Sequence, residues 1–186
     1  MKFTTVSAVL CALHSASALP LDAFSMQKVH ALPGLSTNPI LDVLIVSATK
    51  DDELKAAVDN WKTSSPLKAA QALIETLKTG AASLSSAPIL SIAQALDLTK
   101  PSQDLEAHTK QLVESIKAQR DNAKASHACG EVRKVIEEVS AASAAVVDAT
   151  VSKIPEIGKS IAKQQSQGTL DAWADAKSFF SEANCA

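Results

Sequence analysis

Sequence signals that begin or end an α-helix recur at nearly even intervals along this chain. They occur near residues 38, 65, 100, 129 and 154, and each contains a proline, a glycine or a capping residue. Between them, apolar residues recur with a helical period, as in Leu54, Ala57, Val58 and Trp61. At about 1.5 Å per residue, a segment of about 26 residues spans roughly 39 Å. Short joints between rods of similar length predict an all-α, up-and-down bundle of about five helices, some of them broken.

The breaks also predict where each helix lies. Gly80 and Pro88 are expected to divide the second helix, and Gly168 to weaken the fifth, with Thr169 as a new N-cap. Strands are not expected, because the chain has no Tyr, only 3% aromatic residues and no sustained alternation of apolar and polar residues. The predicted helices are residues 39–63, 66–80 with a second piece at 88–98, 101–126, 131–153, and a last helix that follows Pro155.

The N-terminal residues are typical of a secretory signal. Lys2 precedes a short apolar run, and Ala16-Ser17-Ala18 offers small residues for cleavage. The run is too short to span a bilayer, although a retained anchor is the alternative. We therefore predict a signal peptide over residues 1–18, an irregular arm or pro-segment over residues 19–37, and a helical-bundle domain over residues 38–186. The arm is favoured, since no dibasic processing site closes it. The predicted location is extracellular or in the cell wall.

Two cysteines, Cys129 and Cys185, remain after removal of the predicted signal peptide. An even number of cysteines in an exported chain favours a disulfide over a thiol nucleophile formed by Cys129 with the nearby His127. The fourth helix runs away from Cys129 and the fifth returns, so the hairpin brings Cys185 back beside it. In the chain-entropy account, closing such a loop stabilises the fold by about 4 kcal/mol.

Signs of catalysis or metal binding are absent from the sequence pattern. His30, His108 and His127 have no metal-binding spacing, and no Gly-X-Ser-X-Gly elbow or phosphate loop is present. The acidic run Asp51-Asp52-Glu53 is expected to be a solvated helix face, because consecutive helical side chains diverge. A formal net charge of −2 gives no general attraction to nucleic acid. We predict no catalytic residue, no metal, no cofactor, no nucleic-acid partner and no transmembrane segment.

The predicted core is rich in Ala, Val, Ile and Leu and poor in bulky aromatic residues. Such a core either packs closely or leaves slack that admits an acyl chain between the helices, and the residues alone leave both readings open. If a cavity exists, residues of the buried stripes are the candidates for its lining. These are Leu77, Ile92, Leu96, Leu112, Ile116, Val135, Val139, Val146, Trp173 and Phe180.

The order of the segments resembles a secreted fungal family. A first helix ILDVLIVSATKDDELKAAVDNWK is followed by LEAHTKQLVESIKAQRD, by EVRKVIEEVSAASAAVVDATVSKIP and by a last helix ending in WADAKSFF. In this order and spacing the chain is similar to the hydrophobic surface-binding protein A family, which includes the cell-wall galactomannoproteins. The resemblance implies an all-α bundle, secretion or cell-wall residence, binding to hydrophobic surfaces, an internal fatty-acid cavity in some members, and no catalysis.

Two functions from different classes follow. The favoured one is a non-enzymatic secreted protein that binds hydrophobic surfaces, lipid or fatty acid through its apolar bundle. The alternative is a secreted effector or cell-wall antigen with a closely packed core, acting through contacts with a cell-wall or host component.

Overall fold

Five long α-helices account for most of residues 38–185, the part of the chain that the computed structural model describes. The long helices are α1 (Pro39–Asp59), α2 (Pro66–Ser85), α4 (Thr99–Ala118), α6 (Cys129–Lys153) and α7 (Lys159–Phe179), and two short ones are α3 (Ile92–Leu96) and α5 (Arg120–Ala125). A 3₁₀ turn, Glu156–Gly158, precedes α7. These residues contain no strand and lie within one compact unit. The predicted all-α class is confirmed, whereas the signal peptide and the arm lie outside the described residues.

The long helices form a closed ring in the spatial order α1, α2, α6, α7, α4. Successive long helices alternate in direction, as predicted. Some neighbours in space are nevertheless parallel, such as α2 and α6. Ser65 and Ala128, just before these two helices, line the same pocket, and at their other ends the Lys153 ammonium donates to the Ser85 carbonyl. We call the end of the bundle with Ser65 and Ala128 the disulfide end, and the end with Ser85 and Lys153 the far end.

Local sequence explains the helix ends well. The Asn38 side chain accepts a hydrogen bond from the Ile40 N–H at 3.1 Å, and Pro39 occupies the first turn of α1. Helix α6 covers the predicted 131–153 and begins only two residues earlier. It ends at Lys153, immediately before the extended Ile154 and Pro155.

The two glycines expected to break helices do not break them. Helix α2 continues through Gly80 to Ser85, and α7 continues through Gly168. A Cβ atom at Gly80 would lie 2.8 Å from Cγ1 of Val43 on α1, and one at Gly168 would collide with the Glu106 carboxylate on α4. These glycines are therefore sites where neighbouring helices approach closely, which outweighs the cost of glycine inside a helix.

Four other helix predictions were wrong in detail. The first helix, predicted to reach residue 63, ends at Asp59. The piece predicted at 88–98 is a helix only over Ile92–Leu96, and the helix predicted at 101–126 divides at Gln119 into α4 and α5. The last helix begins at Lys159 rather than directly after Pro155, because the 3₁₀ turn intervenes.

Buried apolar residues form two clusters along the bundle. The larger one occupies the middle and the disulfide end, and Trp173 and Phe180 are its largest fully buried side chains. The smaller one lies at the far end and joins Ile40 and Leu98, at the starts of α1 and α4, to Ile154. Since α1 and α4 begin together there, and Val58 and Ile116 near their other ends line one pocket, they also run parallel.

Candidate functional site

A disulfide joins the start of α6 to the residues after α7. The Cα atoms of Cys129 and Cys185 are 5.6 Å apart, and both side chains are buried. The Arg133 guanidinium on α6 donates to the Cys185 carbonyl at 2.5 Å, so a hydrogen bond supports the same junction. The predicted pairing is confirmed, and it anchors the N-terminal end of α6 at the edge of a pocket.

That pocket, which we call the disulfide-end pocket, has a volume of about 290 Å³. It lies between the last turns of α1 and α4 and the first turns of α2 and α6. Its lining is Leu54, Val58, Trp61, Ser64, Ser65, Pro66, Leu67, Ala70, Ile116, Ala128, Glu131, Val132, Val135 and Ile136. The volume is at the lower limit of the roughly 300–1,000 Å³ usual for small-molecule sites.

The walls of the disulfide-end pocket are apolar, and their polar groups are few. The Ser64 hydroxyl donates to the Ala57 carbonyl at 2.5 Å, so its hydrogen is directed at backbone rather than at the pocket. Glu131 is the charged member of the lining. Trp61 is half-buried here and its indole forms part of the wall. Such a surface suits a hydrocarbon chain better than a polar or anionic molecule.

A second, smaller cavity of about 40 Å³ lies nearer the far end. Five of its lining residues carry hydroxyl groups, namely Ser102, Ser143, Thr150, Ser166 and Thr169, and the others are Leu44, Leu77, Leu105, Val146 and Val147. The Thr150 hydroxyl is buried and has no hydrogen-bond partner among residues 38–185. The cavity therefore offers hydrogen-bonding capacity to a small polar group, and we call it the hydroxyl cavity.

A third hollow is an open groove of about 260 Å³ on the outside of the far end. It runs between α3 and the start of α7. Its side chains are largely exposed: 60% for Ile92, 68% for Leu96, 80% for Ile157 and 58% for Ile161. The burial expected for Ile92 and Leu96 was thus wrong, because α3 is a single short turn on the surface with no outer layer of structure among residues 38–185 to cover it.

The ten predicted lining residues do not surround one cavity. Ile116 and Val135 line the disulfide-end pocket, Leu77 and Val146 line the hydroxyl cavity, and Ile92 and Leu96 line the far-end groove. The other four are solid core: Leu112, Val139, Trp173 and Phe180 are each at most 1% exposed. Their role in binding stays a prediction.

Several members of the disulfide-end pocket were not predicted from the sequence. Val58 and Trp61 belong to the helical stripe of the first predicted helix, but neither they nor Val132 are among the predicted lining residues. A usable signal existed, since Val58 and Trp61 end one helix while Val132 begins another. In an up-and-down bundle, helix ends of that kind meet at the same end of the molecule.

The expectation that Asp51-Asp52-Glu53 forms a solvated helix face was wrong for Asp51. It is only 3% exposed and its carboxylate accepts a hydrogen bond from the Thr109 hydroxyl on α4 at 2.6 Å. Burial raises the pKa of the Asp51 carboxyl to about 7, and the Thr109 bond opposes that rise. Beside it, the His108 Nδ1 lies 2.6 Å from the Asp52 carboxylate. This cluster fastens α1 to α4.

No three His, Cys, Asp or Glu side chains within residues 38–185 are grouped so that they could hold a metal ion. Over the same residues, no helix is both long and apolar enough to cross a membrane.

Residues 37–152 match the family model described as hydrophobic surface binding protein A. The match covers α1 to α6 and so includes the whole lining of the disulfide-end pocket.

Two curated relatives are fungal wall proteins. The chain is 29% identical over 150 residues to cell wall mannoprotein 1 of Aspergillus fumigatus, covering 75% of this chain and 53% of the relative. It is 29% identical over 134 residues to cell wall mannoprotein 1 of Aspergillus flavus, covering 70% and 49%. The chain therefore spans about half the length of the curated relatives it matches.

Solved structures share the fold. Ligand binding domain 2 of the MP1 protein of Penicillium marneffei, complexed with multiple arachidonic acids, matches with a TM-score of 0.74 and 18% identity, over 80% of this chain and 98% of that one. AFMP4P in complex with palmitic acid matches with a TM-score of 0.71 and 16% identity, over 76% and 97%. At these identities the likeness establishes the architecture.

Proposed function

We propose that this chain, which belongs to the hydrophobic surface binding protein A family, binds a long-chain fatty acid within its helical bundle. It does so without catalysing a reaction. The observation that carries the proposal is the disulfide-end pocket, an apolar hollow of about 290 Å³ between the ends of α1, α2, α4 and α6. The arachidonic and palmitic acid complexes of structures with the same fold support the class of ligand. Each buried methylene contributes about 0.8 kcal/mol, so an apolar pocket favours long chains.

The acyl chain extends from the disulfide-end pocket toward the hydroxyl cavity. On α6, Ile136 lines the pocket and Val146 lines the cavity, and ten helical residues span about 15 Å. That span is on the order of the length of an extended acyl chain. Between the two hollows lie Leu112 on α4 and Val139 on α6, both buried. In this proposal the side chains of Leu112 and Val139 separate when the ligand enters, and they become part of its lining.

The carboxyl group of the ligand occupies the hydroxyl cavity. Glu131 at the disulfide-end pocket would repel a carboxylate, whereas Thr150 offers a buried hydroxyl without a partner among the described residues. A carboxylate accepts hydrogen bonds from several hydroxyls at once, and hydrogen bonds to a charged group are worth about 1.5–3 kcal/mol. This orientation places the apolar end of the ligand toward Trp61.

The protein acts outside the cell, at or near the fungal cell wall. The Aspergillus relatives are cell wall mannoproteins, and the predicted signal peptide over residues 1–18 is consistent with export. A function confined to protein contacts with a cavity-free core is the alternative, and the disulfide-end pocket favours lipid binding over it.

Filling the disulfide-end pocket tests the proposal. Val135→Phe adds an aromatic ring to the pocket wall, and Ala145→Phe adds the same ring on an exposed position of α6. Native mass spectrometry with palmitic acid should show one or more bound ligands on the wild-type chain and on Ala145→Phe. Val135→Phe should lose at least about tenfold in affinity, equivalent to 1.4 kcal/mol. Equal binding by all three proteins, or no binding to the wild-type chain, would contradict the proposal.

A further inference from the structure

Large apolar side chains gather at the far end of the bundle, on the outside. Eight large hydrophobic residues among 38–185 are strongly exposed, and five of them belong to two neighbouring segments. We call these five the far-end patch: Ile89, Ile92, Leu96, Ile157 and Ile161. Exposed apolar residues grouped in this way usually mark an interaction site.

Contacts across the far end hold the two segments side by side. The Leu90 N–H donates to the Lys153 carbonyl at 2.8 Å, and Leu90 and Ile154 belong to the same buried cluster. Ile92 and Leu96 of one segment and Ile157 and Ile161 of the other border the same groove. These four side chains therefore present one continuous apolar surface with Leu90 and Ile154 buried beneath it, and Ile89 precedes Leu90 in the chain.

Basic residues accompany the patch. Over residues 89–100 and 153–165, the two segments carry Lys100, Lys153, Lys159 and Lys163 against Asp97 and Glu156. Asp104, just beyond the first segment, pairs with Lys100, so four basic residues stand against three acidic ones and the region has a net charge of +1, in a chain whose formal net charge is −2. Lys159 is held near the patch by its ion pair with Glu156 at 2.7 Å. Protruding aliphatic side chains on segments that also carry lysines fit a lipid interface with anionic headgroups.

We propose that the far-end patch is the face by which this protein docks on an anionic lipid surface. The side chains of the patch enter the boundary between headgroups and acyl chains, while the lysines remain at headgroup level. This surface lies at the opposite end from the disulfide-end pocket and shares no residue with it. Docking therefore does not require the interior to be occupied, and the two activities can be lost separately.

Vesicle co-sedimentation of the mature chain, without the predicted signal peptide over residues 1–18, tests the docking face. The vesicles are phosphatidylcholine alone, or phosphatidylcholine with roughly a third phosphatidylserine. The wild-type chain should sediment more strongly with the anionic vesicles, and this preference should weaken with salt. Ile157→Glu with Ile161→Glu should reduce binding at least about tenfold, because two apolar anchors are lost and two negative charges are gained.

The matched control is Ile45→Glu with Val46→Glu. These α1 residues are 53% and 43% exposed and lie outside the patch, so the control changes charge and apolar area similarly. It should bind vesicles within about twofold of the wild-type chain. Circular dichroism and palmitic acid binding, measured on both variants, separate loss of docking from loss of folding or of the interior site.

Three results would overturn the docking face. The patch variant could bind vesicles as well as the wild-type chain does, or the control could lose binding to the same extent. The wild-type chain could also fail to sediment with either vesicle, as expected if a second copy or the residues before Asn38 cover the patch. A shift from dimer to monomer caused only by the patch variant would identify the second copy as the occupant.

Discussion

Asp51 is the residue whose environment departs most from what its type suggests. Two acidic neighbours, Asp52 and Glu53, gave reason to expect a solvated run, yet the α1–α4 contact covers the first of the three. The covered carboxyl accepts the Thr109 hydroxyl, which partly compensates for lost hydration. A periodic pattern shows which face of α1 is apolar but not that one carboxyl lies beneath α4.

Asp51 should make the stability of the fold depend on pH. Its pKa rises from an ordinary value of 3.8 to about 7 in the folded chain. Well below pH 3.8 the Asp51 carboxyl is protonated in both the folded and the unfolded chain, so it does not affect the free energy of unfolding. As pH rises toward 7 the carboxyl ionises first in the unfolded chain, which favours unfolding. Stability should therefore fall between about pH 4 and pH 7, by an amount on the order of 2–4 kcal/mol.

Asp51→Asn should remove most of this pH dependence. The amide oxygen still accepts the Thr109 hydrogen bond, but no charge forms in the interface. In urea unfolding, the variant should exceed the wild-type chain in stability at pH 8 by about 2 kcal/mol or more, and resemble it near pH 4. Glu53→Gln is the control, because Glu53 is exposed, pairs with Lys50 and lies outside the contact with α4; it should preserve the wild-type pH profile. A variant that is less stable than the wild-type chain at pH 8 would show that the charged carboxylate stabilises the fold.

At the scale of the helix, the sequence predicted where helices begin and end better than it predicted breaks within them. Asn38 and Pro39 start α1, and Pro155 lies just beyond α6, because caps and prolines act on the backbone next to them. Gly80 and Gly168 have no comparable effect on the backbone next to them. Each permits a close approach of another helix, and the identity of that neighbour depends on the folded arrangement.

The contact between α1 and α2 at Gly80 can be tested by a double-mutant cycle. Gly80→Ala places a methyl group within 2.8 Å of Val43 Cγ1, and a β-branched side chain cannot easily turn aside. Overpacking should outweigh the gain in helix propensity, for a net loss of about 1 kcal/mol. In a Val43→Ala background the same change should stabilise the chain by about 0.5–1 kcal/mol.

Thermal and urea unfolding of the four proteins provide the measurement. Gly168→Ala is a useful comparison, since the obstructing group there is the end of the Glu106 side chain, which can move. We expect it to be close to neutral. If Gly80→Ala stabilises the chain whether or not Val43 is present, the two helices do not meet at Gly80 as described.

At the scale of the whole molecule, the number of long helices, their alternation and the disulfide followed from the sequence. The spatial order of the ring did not. Segments 86–98 and 119–128 carry the chain across the bundle, so α2 is followed in sequence by α4 but lies beside α6. The hollows depend on this order. Ile116 and Val135 come together at the disulfide end, whereas Trp173 and Phe180, which share their stripe pattern, are enclosed in the core.

The exposed apolar residues at the far end also could not be predicted from the sequence. Ile92 and Leu96 have the spacing of a buried helix face, but the bundle contains no further helix among residues 38–185 to cover them. Periodicity identifies an apolar face and gives no information on whether a partner within the chain exists. The interior pocket and the exterior patch are thus two apolar surfaces that the sequence could not distinguish.

We infer that an acyl chain lies inside the bundle and reaches the disulfide end. The most direct measurement is an isotope-filtered NMR experiment on the full chain, with ¹³C-labelled methyl groups and unlabelled palmitic acid. We predict nuclear Overhauser effects from the ligand methylenes to the methyls of Ile116, Val135 and Val132. Effects confined to Ile157 and Ile161, or no effects at any methyl group, would contradict binding inside the bundle.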